Sequence, residues 1–95
     1  MEPGAEERVV KSGTFLYVGE VRCDVRIVYS PTRYGSGDHA DAEEFANDQK
    51  MDSYYVEYGS TTQRNVFTSG GGWFPSLSEA VHHVEQAVQG ITWND

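Results

Sequence analysis

The chain has one cysteine, three prolines and few basic residues, and each scarcity narrows what the protein can be. Cys23 alone can form neither an intramolecular disulfide nor a cysteine metal cage. Seven Lys and Arg stand against 15 Asp and Glu, and the resulting net charge of -8 opposes binding to nucleic acid or to anionic lipid. No apolar run approaches the roughly 18 residues that a membrane-spanning helix needs. We therefore expect a cytoplasmic protein that binds neither nucleic acid nor membrane.

A chain of 95 residues has room for one domain with a single core. Its hydrophobic content of 38% is modest, but six Tyr, four Phe and two Trp supply large apolar area. Residues 1–12 begin with an acidic stretch containing Pro3 and Gly4, and we predict a flexible lead-in there. Residues 13–95 then form a single α+β domain.

The strongest local pattern is that of a C-terminal amphipathic helix. Its apolar residues recur at steps of three and four, as one face of a helix requires. They are Leu77, Val81, Val84, Val88 and Ile91. Ser76 can cap the first turn, while Glu79, three residues later, can reach back to the Ser76 amide. Gly90 stands where a left-handed residue ends a helix.

The remaining regular segments have the alternation of β-strands. We predict strands over 14–18 and 21–29, joined by a turn at Gly19 and Glu20, and a second hairpin from 53–58 and 63–68. Residues 70–72 are all glycine, and we assign them to the connection into the helix. The expected fold is a four-stranded antiparallel sheet of two hairpins, with the C-terminal helix packed on one face.

The connection between the two hairpins, residues 33–52, is long and acidic. At about 20 residues it exceeds the usual length of loops in compact domains, and such insertions are usually either functional or disordered. Its acids are Asp38, Asp41, Glu43, Glu44, Asp48 and Asp52. Asp41 could cap a short helix over 42–46. The composition leaves open whether this loop contacts a partner or is only solvated.

No motif indicates catalysis or a bound cofactor. Adjacent helical residues point about 100° apart, so His82 and His83 cannot share a metal ion on a regular helix. His39 has no nucleophile in a recognisable motif beside it, and the acids around it lack the ligand spacing of a calcium loop. The three glycines are not followed by the Lys-Ser or Lys-Thr of a phosphate-binding loop. We expect a non-enzyme without cofactor or metal, and a buried, inert Cys23.

Three residues give the predicted sheet its one interface-like feature. Arg22 and Arg26 share the polar face of the second strand, and Tyr55 lies on the same face if its neighbours point toward the helix. The arginines can pair across strands with Glu57 or Glu20. Alternatively, arginine beside exposed tyrosine is a composition typical of protein interfaces.

The leading hypothesis is a small acidic binding protein that covers or inhibits a basic macromolecular target. Toxin-immunity proteins and phage-encoded inhibitors of host nucleases are of this class: their targets bind nucleic acid and are therefore basic, and opposite charge speeds association. The predicted contact residues are Asp38, Asp41, Glu43, Glu44, Asp48, Tyr55, Arg22 and Arg26. An accessory subunit or homodimerising domain is the alternative, and a small enzyme or metal-binding protein is the third.

Overall fold

A computed structural model describes residues 7–35 and 47–94, and in them the chain forms one antiparallel sheet and one helix. The elements are β1 (Arg8–Tyr17), β2 (Val21–Arg33), β3 (Gln49–Gly59), β4 (Phe67–Phe74), α1 (Leu77–Ala87) and β5 (Gln89–Asn94). The strands lie in the order β4-β3-β2-β1-β5, so the helix connects the two edges of the sheet. In the part of the chain that the structure describes, no helix has the length and apolar character needed to cross a membrane.

The core lies between the helix and one face of the sheet, which confirms the predicted α+β layers. The sheet contributes its central strands to this core, and the helix contributes the middle of its apolar face. The fully or nearly buried apolar residues are Phe15, Cys23, Val25, Ile27, Val56, Ala80 and Val84. The thiol of Cys23 is therefore buried, as its place in β2 predicted. We call the sheet face that covers the helix the inner face and the opposite one the outer face.

The sheet has five strands, so the predicted number of four is wrong. The helix ends at Ala87 with Val88 as an extended C-cap, and the chain then runs as β5 along β1. Ile91 therefore belongs to a strand and not to the helical stripe. Gly90 does have positive φ, but it lies in β5, where a Cβ would stand 3.0 Å from Leu16. β5 covers an edge of β1 that a four-stranded sheet would leave unpaired.

The strand β4 lies further along the chain than the predicted segment 63–68. It takes in the three glycines instead of leaving them to a connection into the helix. Gly70 and Gly72 pair with Glu57 and Val56 of β3, and Gly71 lies at a register shift between them. The surroundings of Gly71 show why β4 needs a glycine at this position. A Cβ at this position would stand 2.5 Å from the ring of Tyr58 and 2.6 Å from Val56, so only glycine lets the edge strand lie this close to the core.

The first hairpin turns one residue earlier than predicted. Glu20 N donates to Tyr17 O at 3.0 Å, and the residues at the centre of the turn are Val18 and Gly19. Both have positive φ, at 47° and 72°, which is the pattern of a type I′ turn. β1 also begins at Arg8, so residues 8–12 of the predicted lead-in are part of a strand, while residues 1–6 lie outside the described residues.

The second strand is longer than predicted, and the connection after it is shorter. β2 continues through Pro31 to Arg33, with a register shift against β3 between Ser30 and Thr32. Proline is tolerated in a strand at such an irregularity, because no ladder hydrogen bond is required of it. The connection to β3 therefore spans 34–48. Within it, residues 36–46 lie outside the described residues, and so does the short helix predicted over 42–46.

The helix begins as its sequence predicted. The Ser76 hydroxyl accepts a hydrogen bond from Glu79 N at 3.2 Å and so caps the first turn. The Glu79 carboxylate accepts from the same hydroxyl at 3.0 Å, where the sequence predicted a bond to the Ser76 amide. The cap fixes where the chain enters the helix after β4.

Candidate partner-binding site

The outer face of the sheet carries the arginines and the tyrosine that the sequence singled out, and it places Arg26 near Tyr55 while Arg22 lies further along β2, opposite β1. Arg26 pairs with Glu57 in the register of β2 and β3, and Tyr55 pairs with Val28 two residues away. Tyr55 also pairs with Trp73 of β4 on its other side. Since paired residues share a face, these side chains all lie opposite the helix.

The arginines of the outer face are held by neighbours and do not form an unpaired basic patch. Arg26 Nε donates to Glu57 Oε1 at 2.6 Å, which confirms the predicted cross-strand pair. Its guanidinium carbon lies 3.9 Å from the ring centre of Phe67. Arg22 is exposed and donates to Thr14 Oγ1 at 3.0 Å. The charge of Arg26 is thus offset within the face by Glu57.

Tyr55 and Tyr34 form an aromatic wall on the outer face, near the C-terminal end of β2. The Tyr55 hydroxyl donates to Thr32 O at 3.2 Å and accepts from Tyr34 N at 2.9 Å. The two tyrosine rings lie 5.8 Å apart. The Tyr34 hydroxyl donates to the Glu7 carboxylate, and this hydrogen bond is the chief reason that the pKa of Tyr34 is raised. The wall therefore offers ring surface, with both hydroxyls already partnered.

A cavity of about 420 Å³ opens beside this wall. It is lined by side chains of the outer face, by glycines of β4 and by Glu7. Its most informative member is Trp73, whose indole Nε1 is buried and finds no hydrogen-bond partner among residues 7–35 and 47–94. The guanidinium carbon of Arg33 lies 4.6 Å from the centre of the same ring. A buried donor without an acceptor carries a free-energy cost that a bound acceptor would remove.

Gly70 lines this cavity and borders the register shift between β3 and β4. A Cβ at this position would meet no atom within 4 Å, and its φ is not in the left-handed region. Gly71 differs because the core excludes any side chain from it. Glycine in a strand marks either such an irregularity or a place where another molecule approaches closely, and the open space at Gly70 is compatible with both.

The acidic connection leaves the sheet at the same place. Tyr34 lines the cavity, and Asp48 Oδ1 accepts a hydrogen bond from Gly35 N at 2.8 Å, which ties the two ends of the connection together. Asp48 is therefore a structural residue as well as an exposed acid. The other four predicted contact acids lie outside the described residues; they are Asp38, Asp41, Glu43 and Glu44.

Asp24, on the outer face of β2, is a buried carboxylate. Asp24 is 7% exposed and accepts hydrogen bonds from Arg64 Nε and Nη2, at 2.8 to 3.1 Å, and from Asn65 N at 2.6 Å. The Arg64 side chain is the main reason that the pKa of Asp24 is lowered. This pair fixes the loop between β3 and β4 against β2.

The two histidines of the helix lie in different surroundings. His83 packs on Phe74, with ring centres 4.8 Å apart, and His82 is exposed. Across the two described stretches, no three His, Cys, Asp or Glu side chains lie close enough together to hold a metal ion. His39 falls outside those stretches.

Trp73, Arg33 and Tyr34 are members of this site that the sequence did not single out. Trp73 follows three glycines and precedes a proline by two residues, so it resembles a loop residue until the pairing of β4 with β3 is known. The only signal available was its type, since Trp, Tyr and Arg are the residues enriched in binding hot spots.

No protein-family model, curated protein or solved structure matches the chain.

Proposed function

We propose that the chain is a non-enzymatic binding protein that covers or inhibits a basic macromolecular target through its outer face. The observation that carries the proposal is the cavity beside Tyr55, in which the Trp73 N–H is buried without a partner among the described residues. Gly70, at the rim, leaves space for an approaching backbone. The partner would supply the missing acceptor, for example a main-chain carbonyl oxygen.

The composition of the face supports a protein partner. Trp, Tyr and Arg are enriched in the residues that dominate binding energy, and they cluster where water is excluded. Here Trp73 and Tyr55 pair across neighbouring strands, and Arg33 lies on the tryptophan ring. The rings are rigid, so a partner would bury them at little entropic cost.

The net charge supports a basic target. A charge of -8 on 95 residues speeds encounter with a positively charged protein and slows encounter with nucleic acid. The acidic connection 34–48 starts at the cavity, so it is placed to steer a partner toward it. Inhibitors of nucleases and toxin-immunity proteins are the classes that meet such targets. The proposal places the protein in the cytoplasm, where a lone thiol remains reduced.

The test is capture of partners from an extract of the source cells by tagged wild-type and variant proteins. We expect wild type to retain a basic protein, identified by mass spectrometry, and Trp73→Phe to weaken its affinity because the ring remains while the N–H is lost. Trp73→Ala should weaken it more, by roughly 30-fold or beyond, as truncation of a hot spot does. His82→Ala is the matched control, since His82 is exposed on the helix. A partner held equally by all four proteins would contradict the proposed contact surface.

The same variants distinguish the homodimer alternative. Sedimentation velocity of the pure wild-type protein should show a monomer at micromolar concentration. A dimer that Trp73→Ala dissociates would mean that the outer face binds a second copy of the chain, and the inhibitor proposal would be withdrawn.

A further inference from the structure

A second cavity, of about 530 Å³, opens at the other side of the sheet, where the first hairpin turns and the helix ends. Its walls are the last residues of β1, the end of β3 and the C-terminal end of the helix. Phe15 and Tyr58 form its floor, with Leu16 and Val88 at the sides. The volume is within the range of about 300–1,000 Å³ that is usual for small-molecule sites. None of its lining residues also lines the cavity beside Tyr55.

Tyr58, which lines the cavity, carries a hydroxyl that the described part of the protein leaves unsatisfied. The Tyr58 hydroxyl is buried and has no hydrogen-bond partner among the described residues. A tyrosine hydroxyl is protonated at neutral pH and can donate as well as accept, and burial raises the pKa of Tyr58 further. Buried hydroxyls are normally paired, so the Tyr58 hydroxyl has a hydrogen-bonding position that an atom of a bound molecule could fill.

The position of this hydroxyl is fixed by the packing of its ring. Tyr58 meets Phe15 edge to face, with ring centres 5.7 Å apart. On the other side Gly71 leaves room for the ring, since a Cβ there would stand 2.5 Å from Tyr58 Cε2. A ring held on both sides cannot turn its hydroxyl into water without disturbing the core, so the orphan is built into the fold.

The other residues that line the cavity indicate which ligand charge it can accept. None of the lining residues within 7–35 and 47–94 is charged. The helix presents its C-terminal end here, with no basic residue in its last turn, and that end carries partial negative charge. An anionic ligand is disfavoured by both features, and an apolar lining without a carboxylate gives a cation no partner.

The rim is apolar, exposed and strained. Val18 is 71% exposed and Tyr17 is 49% exposed, and both line the opening. Val18 has a φ of 47°, a region that a β-branched residue rarely occupies. The turn would be more stable with glycine or asparagine at this position, yet the chain has an apolar side chain at the mouth of the cavity. A bound apolar group would cover that side chain.

We propose that this cavity is a binding site for a small uncharged molecule that contains a ring and one hydrogen-bonding oxygen, which pairs with the Tyr58 hydroxyl. The ring occupies the apolar space between Leu16 and Val88, and Val18 closes over it. The site is independent of the outer face, so it holds whether or not the proposed partner is found.

The test compares two probes, p-cresol and toluene, which differ in one hydroxyl. Their dissociation constants are measured by NMR titration of the methyl groups of Leu16, Val18 and Val88 in wild type and in Tyr58→Phe. We expect the ratio of the toluene constant to the p-cresol constant to fall by roughly tenfold in Tyr58→Phe, the size of one hydrogen bond. Tyr55→Phe, on the outer face, is the matched control and should keep the wild-type ratio.

The thermal stability of the unliganded proteins provides a second readout. Tyr58→Phe should melt at the same temperature as wild type or higher, because it removes a buried hydroxyl without a partner. A lower melting temperature would show that the hydroxyl is already paired in the protein, and the proposal would be wrong. It would be equally wrong if neither probe shifted the three methyl groups, or if the ratio were unchanged in Tyr58→Phe.

Discussion

At the scale of single residues, the clearest departure from ordinary backbone geometry is Val18. It occupies the left-handed region at the centre of a type I′ turn, where asparagine and glycine are favoured and a β-branched side chain is strained. Because Val18 makes its contacts at the rim of a cavity and not in the core, the strain is not offset by burial of the side chain. The fold therefore tolerates this valine without depending on it.

Replacing Val18 should make the protein more stable. Val18→Asn creates an Asn-Gly turn, and we expect it to raise the free energy of unfolding by about 1 kcal/mol, since strain of this kind costs on the order of 1–3 kcal/mol. Urea denaturation should show a higher midpoint with an unchanged slope. Val21→Asn is the control, because Val21 is in regular strand geometry and should gain nothing. A lower midpoint for Val18→Asn would mean that the turn needs the valine.

Asp24 gives the protein a specific sensitivity to acid. Its folded-state pKa is lowered chiefly by Arg64, so the ion pair stabilises the fold fully above the unfolded value of about 4. That stabilisation is lost as pH falls through the folded-state pKa. We expect Asp24→Asn to lower the free energy of unfolding at neutral pH by about 2 kcal/mol. It should also reduce the further loss between about pH 5 and pH 2, as measured by urea denaturation at several pH values. If Asp24→Asn and wild type lost the same amount of stability over this pH range, the Asp24–Arg64 ion pair would not be the cause of the acid sensitivity.

At the scale of elements, the sequence predicted the helix and the first hairpin well and the two edge strands poorly. Ser76 and the apolar stripe identify the helix because capping and period are local properties. The position of β4 was not predicted, because Gly70, Gly71 and Gly72 have low strand propensity. Their place in a strand follows from tertiary packing, since Gly71 lies against Tyr58 and Val56. β5 was not predicted, because Ile91 continues the apolar spacing of the helix by coincidence. The pairing of β5 with β1 joins distant parts of the chain, so no local pattern indicates it.

The candidate site was predicted in part for the same reason. Arg26, Glu57 and Tyr55 were placed on one face because alternation along β2 and β3 is regular. Trp73 could not be placed until β4 was known to pair with β3, and the orphan state of its N–H depends on packing. A sequence pattern assigns residues to faces but does not show which polar atoms are left unpaired.

The glycines of β4 provide a matched pair of substitutions within one strand. Gly71→Ala should lower the free energy of unfolding by about 1–3 kcal/mol, because a Cβ collides with Tyr58 and Val56. Gly70→Ala should leave it unchanged or raise it by about 0.5 kcal/mol, since the added methyl meets no atom and the unfolded chain loses freedom. Chemical denaturation of both variants measures this difference.

The variants Gly70→Ala and Gly71→Ala also distinguish an effect on stability from an effect on partner binding. If Gly70 is retained for the approach of a partner, Gly70→Ala should weaken binding to the captured protein while its own stability is intact. Unchanged affinity in Gly70→Ala would remove Gly70 from the proposed contact surface.

At the scale of the whole molecule, the net negative charge predicts how fast the protein associates with a basic partner. Neutralising Asp38, Asp41, Glu43 and Glu44 to their amides takes the net charge from -8 to -4, since four negative charges are removed. We expect slower association with the basic partner and a smaller effect of salt on the association rate, because steering is electrostatic. Stopped-flow or surface-binding kinetics at two salt concentrations measure both.

We expect the stability of this fourfold variant to change little, because the acids of a solvated loop, one of the two possibilities that the composition allows, contribute only some tenths of a kcal/mol each. An unchanged association rate would show that the outer face alone determines recognition. In that case Tyr55→Ala should still weaken binding and the loop variant should not.

The strand order has a further consequence for how fast the protein folds. β1 pairs on one side with β2, its neighbour in the chain, and on the other with β5, where Ser12 lies opposite Asn94. Closing the sheet on that side joins residues 82 positions apart, and the entropy lost in forming so large a loop is recovered only when β5 docks. Since Trp73 lies in one edge strand and Trp93 in the other, single Trp→Phe variants leave one fluorophore on each edge. We expect refolding followed through Trp93 to lag behind refolding followed through Trp73, and identical rates would mean that both edges form in one concerted step.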